Sequence, residues 1–174
     1  MAIKLIALDI DGTLTSKAQQ VSQRNRDAIK AAMDAGVFVT LATGRGCNAT
    51  RPIWRLLEIH GPSIQYGGAL TVDADTEVPL SMHALDPALI QEILQFAFEV
   101  GVHAQIYVND VVIFEKTGPA AEHYIARHNL PFEIDPDIRK KRYENVPKIL
   151  AFSALDVQDE MLEAFRTRFR GKAQ

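Results

Sequence analysis

Cysteine is almost absent from this sequence. The 174-residue chain carries one, Cys47, so no internal disulfide can form, and a reducing, cytoplasmic setting is the expectation. Long apolar runs are also missing. A membrane-crossing helix needs about 20 such residues, and no stretch reaches that length, so no membrane partner is expected. The first apolar run, "IKLIALDI", is too short for a secretory leader and ends in acid. Neither sign of charge dominates. A net charge of −3 does not draw the whole chain toward nucleic acid or acidic lipid. The five histidines show no metal-ligand spacing, such as an i, i+4 pair beside a glutamate. No repeat of fixed period and no low-complexity tract interrupts the chain.

What is present is the composition of a globular domain, 47% hydrophobic and 24% charged. At this length a fold buries roughly 70% of the surface its unfolded chain exposes. The run "IKLIAL" (residues 3–8) reads as a strand buried on both faces of a parallel sheet. Ser22 is placed to cap a helix carrying Ala28, Ile29, Ala32 and Met33, which Gly36 stops. "VFVTLA" is a second buried strand. A helix through Ile53, Trp54 and Leu57 follows, kinked or restarted at Pro52 and ended by His60-Gly61-Pro62. "SIQY" is a third strand. This β-α-β-α-β alternation predicts a parallel sheet with crossover helices.

The pattern then changes. "ALTVD" and "EVPLSM" predict one hairpin, and "HAQIYV" and "VVIFE" around Asn109-Asp110 predict another. Asp86-Pro87 opens a helix that runs to Gly101. A helix near residues 120–128, a polar loop, a strand "KILAFSA" and a last helix capped by Asp156 complete the second half. That half reads as antiparallel strands with helices. A boundary near residues 81–85 separates domains 1–82 and 83–174. The basic run "IRKKRY" reads as a solvated loop, and the pairs Phe96/Phe98 and Phe165/Phe169 as packing.

Two acids, Asp9 and Asp11, end the first strand, followed by Gly12. In open parallel sheets, ligands sit beyond the carboxyl ends of the strands, where Thr43 also falls. Carboxylates this close repel and favour a bound cation or a retained proton. Mg²⁺ suits an oxygen-only site and brings water and phosphate with it. Gly12 lets the chain turn sharply and aim amides at an anion. The Thr43 hydroxyl beside the Gly44 amide suits a phosphate oxygen. Asp and Gly also have purely conformational uses in turns, and the strand before them tips the reading toward function.

"ALDIDGTLT" and "LATGR" resemble the first two motifs of the haloacid dehalogenase (HAD) superfamily of phosphatases. "GPSIQYGGAL", "LDPALIQEIL" and "VPKIL" resemble its Cof-like branch. The resemblance implies a Rossmann-like parallel sheet core plus an α+β cap of type IIB, both incomplete at the C-terminus. It implies a Mg²⁺-dependent phosphomonoester hydrolase acting on a small phosphorylated metabolite, with the cap screening substrates. Asp9 is then the nucleophile that forms an aspartyl-phosphate, and Asp11 the general acid and base. Mg²⁺ is held by the Asp9 carboxylate and the Asp11 carbonyl. Thr43 and Gly44 hold phosphoryl oxygens, with Arg45 beside them.

The family's later lysine and its acidic "Gly-Asp-x-x-Asn-Asp" stretch have no counterpart here, and Gly67 stands where the family usually has asparagine. The chain therefore reads as the front portion of a longer phosphatase. Charge neutralisation of a transferring phosphoryl group is worth on the order of 10³–10⁵ in rate, so the isolated chain is expected to be nearly inactive. The alternative is a catalytically silent fragment, stable only with a partner chain. An aspartate-phosphorylated receiver domain fits less well, since its phosphoacceptor lies far downstream of the first strand. Without the missing strand, residues 3–8 become an exposed edge that invites a homodimer.

Overall fold

A computed structural model describes residues 2–15, 20–152 and 158–172. The chain divides into two compact units, Met1–His83 and Ala84–Gln174.

The first unit begins with β1 (Leu5–Leu8). Helix α1 (Gln23–Asp34) starts where Ser22 Oγ accepts the Asn25 amide at 3.2 Å, and Gly36 follows its end at φ +80°. Strand β2 (Phe38–Leu41) pairs with β1 in parallel, Leu5 opposite Phe38 and Leu8 opposite Leu41. Val39 and Leu41 of β2 are buried, as is Ile29 of α1. Burying each such side chain is worth about 1.5–3 kcal/mol, so burial sets the position of β2 more than local propensity does.

Helix α2 (Cys47–Leu56) runs through Pro52 without a restart. It ends at Leu56, before the expected His60-Gly61-Pro62 stop, because Glu58 turns left-handed at φ 52°. Strand β3 (Pro62–Gln65) meets β2 through a parallel bridge between Ala42 and Ile64. A 3-10 turn (Tyr66–Gly68) leads to β4 (Leu70–Asp73) and β5 (Pro79–Met82), which form the expected hairpin, antiparallel in the order β3-β4-β5.

One expectation for β1 fails. It is not buried on both faces: Ile3 is 70% and Leu5 56% exposed. Among the described residues β1 pairs with β2 alone, so its outer edge is open. An apolar run shows that a strand needs burial but does not supply the neighbour.

The second unit opens with α3 (Pro87–Glu99), where Asp86 Oδ1 accepts the amides of Ala88 and Leu89 at 2.8 and 3.3 Å and Pro87 takes the first helical position. Strands β6 (His103–Val108) and β7 (Val111–Phe114) form the second hairpin. Asn109 and Asp110 both have positive φ, the backbone a two-residue hairpin turn of matching twist requires. Helix α4 (Pro119–His128), β8 (Phe132–Ile134), β9 (Ile149–Phe152) and α5 (Gln158–Phe169) follow, and the sheet order is β8-β7-β6-β9. Strand β8 occupies what reads in the sequence as a polar loop, and it pairs with β7 in parallel, so this sheet is not purely antiparallel. Asp156, the expected cap of α5, lies outside the described residues.

Alternate residues of β6 face opposite sides. Ile106 joins Ile90 and Leu94 of α3, with Ile113, Ile138 and Val146, in one apolar cluster. Gln105, one residue before Ile106, is fully buried and donates to the Tyr107 hydroxyl at 2.8 Å, which meets the Tyr124 hydroxyl at 2.6 Å. Phe165 and Phe169 of α5 pack edge-on against Phe96 of α3 at 4.9 and 5.6 Å. Phe98 departs from the packing expectation: it is 51% exposed and covered by the Arg139 guanidinium at 3.8 Å. The basic run is neutralised locally. Arg139 pairs with Glu115, Lys140 with Asp137, Lys141 with Asp135 and Arg142 with Glu144.

Candidate active site

Parallel pairing decides where the acids go. With Leu8 opposite Leu41, and the Ala42 amide donating to Leu8 O at 2.9 Å, Asp9 and Thr43 leave the sheet at the same end. After Asp9 the chain buries Ile10 completely and turns back on itself. The amides of Leu14 and Thr15 donate to Asp9 O and Ile10 O at 3.3 and 2.9 Å. Gly12 takes φ +80° at the tip, where an L side chain is strained. The turn leaves Asp9 and Asp11 exposed on either side of a buried isoleucine. Thr13 Oγ1 donates to Asp9 Oδ2 at 3.2 Å, which fixes one carboxylate oxygen.

The second strand end supplies Thr43, Gly44 and Arg45. Thr43 is buried, and its hydroxyl oxygen accepts the Arg45 amide at 3.2 Å. Its amide donates to Ile64 O at 3.0 Å, which ties the loop to β3. Gly44 is exposed. The Arg45 side chain crosses to the first loop. Its Nε and Nη2 donate to Asp11 Oδ2 and Oδ1 at 2.9 and 2.6 Å, a two-point fork. The hydrogen-bonded Asp11 carboxylate pushes the Arg45 pKa up against the opposing effect of burial, and the charge of Asp9 adds to the rise. The same contact favours the ionised form of Asp11.

All six residues singled out in the sequence, Asp9, Asp11, Gly12, Thr43, Gly44 and Arg45, thus lie on two loops at one end of the β1-β2 pair. The sequence reading missed three things: the fork, the Thr13 hydrogen bond and a buried network below the loop. In that network Thr50 Oγ1 donates to Gln65 Oε1 at 2.9 Å, and Gln65 Nε2 donates to Ser63 Oγ at 3.0 Å. Only Thr13 carried a local signal, a hydroxyl beside Gly12 in the first motif.

Among the described residues no group of three or more His, Cys, Asp or Glu side chains gathers to hold a metal ion. The first loop offers oxygen groups that could act as ligands, among them the Asp9 carboxylate and the Asp11 main-chain carbonyl. That chemistry fits a hard cation such as Mg²⁺, which takes waters and phosphate at its other positions. Cys47 is half-buried at the first position of α2. No helix among the described residues is long and apolar enough to cross a membrane.

Comparison with known proteins finds relatives of this chain. Residues 6–174 match the model of the haloacid dehalogenase-like hydrolases. The chain is 31% identical over 121 residues to a 5-amino-6-(5-phospho-D-ribitylamino)uracil phosphatase, YwtE of Bacillus subtilis, covering 70% of this chain and 41% of the relative. It is 26% identical over 140 residues to the pyridoxal phosphate phosphatase YbhA of Escherichia coli, covering 80% and 50%. A haloacid dehalogenase-like hydrolase of Bacteroides thetaiotaomicron superposes with a TM-score of 0.83 at 21% identity, over 98% of this chain and 66% of that one. That likeness speaks for the fold. The chain spans half or less of the length of these two curated relatives. A match running from β1 to the end of the chain, over a fold that superposes almost throughout, settles its kinship: this chain belongs to the haloacid dehalogenase-like hydrolase family.

Proposed function

We propose that the first unit carries the nucleophile and phosphate loop of a phosphomonoester hydrolase, and that the second is its substrate-screening cap. The observation that carries this reading is the convergence of the Asp9-to-Thr13 turn and the Thr43-to-Arg45 loop at one sheet end. A carboxylate oxygen of Asp9 attacks phosphorus, its bond to phosphorus forms and the bond to the leaving oxygen breaks. Asp11, protonated, gives that oxygen its proton. Asp11 then takes a proton from water, whose oxygen attacks phosphorus and frees Asp9. The Thr43 hydroxyl and the Gly44 amide hold phosphoryl oxygens, with Arg45 beside them. Covalent catalysis divides one hard displacement into two, and the rest is positioning and charge neutralisation. The Asp9 carboxylate and the Asp11 carbonyl would hold Mg²⁺, which offsets phosphate charge when bound.

The substrate is a small phosphorylated metabolite. Names of the two curated relatives support phosphoesters of ring-bearing compounds as first probes. The test is phosphate release from pyridoxal phosphate and a panel of sugar phosphates, with Mg²⁺ and with acid-quench trapping of phosphorylated protein. Asp9→Asn should remove trapping and lower turnover by on the order of 10³-fold or more. Undiminished turnover in that variant would remove Asp9 from the mechanism.

A second reading is supported by the open edge of β1 and the absence of a third gathered acid among the described residues. On it, the 174-residue chain is a catalytically silent fragment, stable only with a partner chain. The absence of turnover with every substrate, restored by adding a chain that supplies the missing lysine and acids, identifies this case.

A further inference from the structure

The loop of Thr43, Gly44 and Arg45 is pinned at both ends by consecutive residues of one turn. Tyr66 N donates to Arg45 O at 3.0 Å, and Gly67 N donates to Thr43 O at 2.9 Å. The Thr43 amide in turn donates to Ile64 O at 3.0 Å, so the contact continues along β3. Two successive amides aim at one loop while Tyr66, Gly67 and Gly68 all stand at positive φ, 49°, 66° and 102°. Tyr66 is a non-glycine in that region, held there as a buried residue, 7% exposed. Gly67 and Gly68 are exposed, and a Cβ on either would meet nothing within 4 Å. Space does not require glycine here. The left-handed backbone does.

We propose that the Tyr66-Gly67-Gly68 turn is the positioning element of the phosphate loop. Its two amides hold the Thr43 and Arg45 carbonyls apart at a fixed spacing, and so set where the Thr43 hydroxyl and the loop amides meet a phosphoryl group. A residue at 67 that resists the left-handed region releases the loop and weakens anion binding, while the apolar core stays intact. The inference rests on the reading of Thr43 and Gly44 as the phosphate loop.

The experiment titrates the ¹⁵N-labelled chain with inorganic phosphate in the presence of Mg²⁺ and follows the Gly44 and Arg45 amides. Gly67→Asn should bind within about twofold of the parent, since Asn adopts the left-handed region readily. Gly67→Val should bind about tenfold more weakly and lose hydrogen-exchange protection of its own amide. Gly36→Val is the control: Gly36 also has a positive φ and open space, but it ends α1. That variant should lose stability and keep its phosphate affinity. Parent-like phosphate binding by Gly67→Val, or an equal loss in Gly36→Val, overturns the proposal. If the parent's amides ignore phosphate, the phosphate-loop reading fails by itself. Positioning is then read from the free proteins: Gly44 and Arg45 resonances that move in Gly67→Val and not in Gly36→Val sustain it, and unmoved resonances refute it.

Discussion

Arg45 reaches back 34 residues to take both carboxylate oxygens of Asp11, at 2.9 and 2.6 Å. A guanidinium that grips a carboxylate at two points favours its ionised form, the form of a base. The proposed first step needs the same group protonated. In the proposed mechanism the fork would therefore favour the second half of the reaction and oppose the first.

Removing the guanidinium should make Asp11 easier to protonate. Arg45→Ala is expected to move the pH–rate profile of an active form toward higher pH, and the ¹³C carboxyl titration of Asp11 in the same direction. Arg45→Lys keeps a charge but not the fork, so its profile should fall between the two. A profile that does not move in Arg45→Ala would detach Arg45 from the chemistry of Asp11.

Magnesium should bind this chain weakly. Mg²⁺ requires near-octahedral oxygen geometry and gives up its waters reluctantly, and the proposed ligands Asp9 and Asp11 would supply only two protein positions. Titration calorimetry is expected to show weak binding that Asp9→Asn abolishes. Tight binding, or binding indifferent to Asp9, would mean that the metal is held elsewhere.

The open edge of β1 should associate. Leu5 of β1 is 56% exposed and Ile3, two residues before it, 70%; the strand's outer backbone groups have no partner strand among the described residues, and Lys4 just before it is the nearest guarding charge. Phe38, opposite Leu5 on β2, adds a third exposed apolar side chain. Light scattering after size-exclusion chromatography should show dimers or larger species of the 174-residue chain. Ile3→Lys with Leu5→Lys should return it to monomer. A monomeric parent at high concentration would refute association through this edge.

His60 and Asp75 form an exposed ion pair, and Asp75 also accepts the Gly61 amide at 3.0 Å. The hydrogen bond that protonated His60 donates to the Asp75 carboxylate raises the His60 pKa above its usual value and lowers that of Asp75. The His60 contribution to stability is complete below the unfolded imidazole pKa and is lost as pH rises through the raised folded value. The Asp75 contribution is present above the unfolded carboxylate pKa and lost as pH falls through the lowered folded value. The pair should therefore stabilise the fold only in the acidic-to-neutral window between them, and slightly, since both groups are exposed. An NMR titration of His60 should drop toward the ordinary range in Asp75→Asn. An unchanged midpoint would show that the pair does not persist in solution.

Local chemistry alone determined a good part of this protein. Ser22 and Asp86-Pro87 start helices because a side-chain oxygen and a fixed proline φ act within three residues. Asn109-Asp110 turns a hairpin because both residues tolerate positive φ. Thr13 meets the Asp9 carboxylate because the two share one tight turn. Tertiary structure decided what depends on distant partners. The Arg45 fork joins residues whose separation leaves no periodicity to read. Strand β8 exists because β7 offers an edge: Val112 N donates to Pro131 O and Asp135 N to Phe114 O, at 3.0 and 2.9 Å. The left-handed Tyr66 is held by burial and by the Arg45 carbonyl, against its own preference. For β1 an apolar run signals a need for burial, and whether a neighbour meets that need on each side is settled only by how the strands pair.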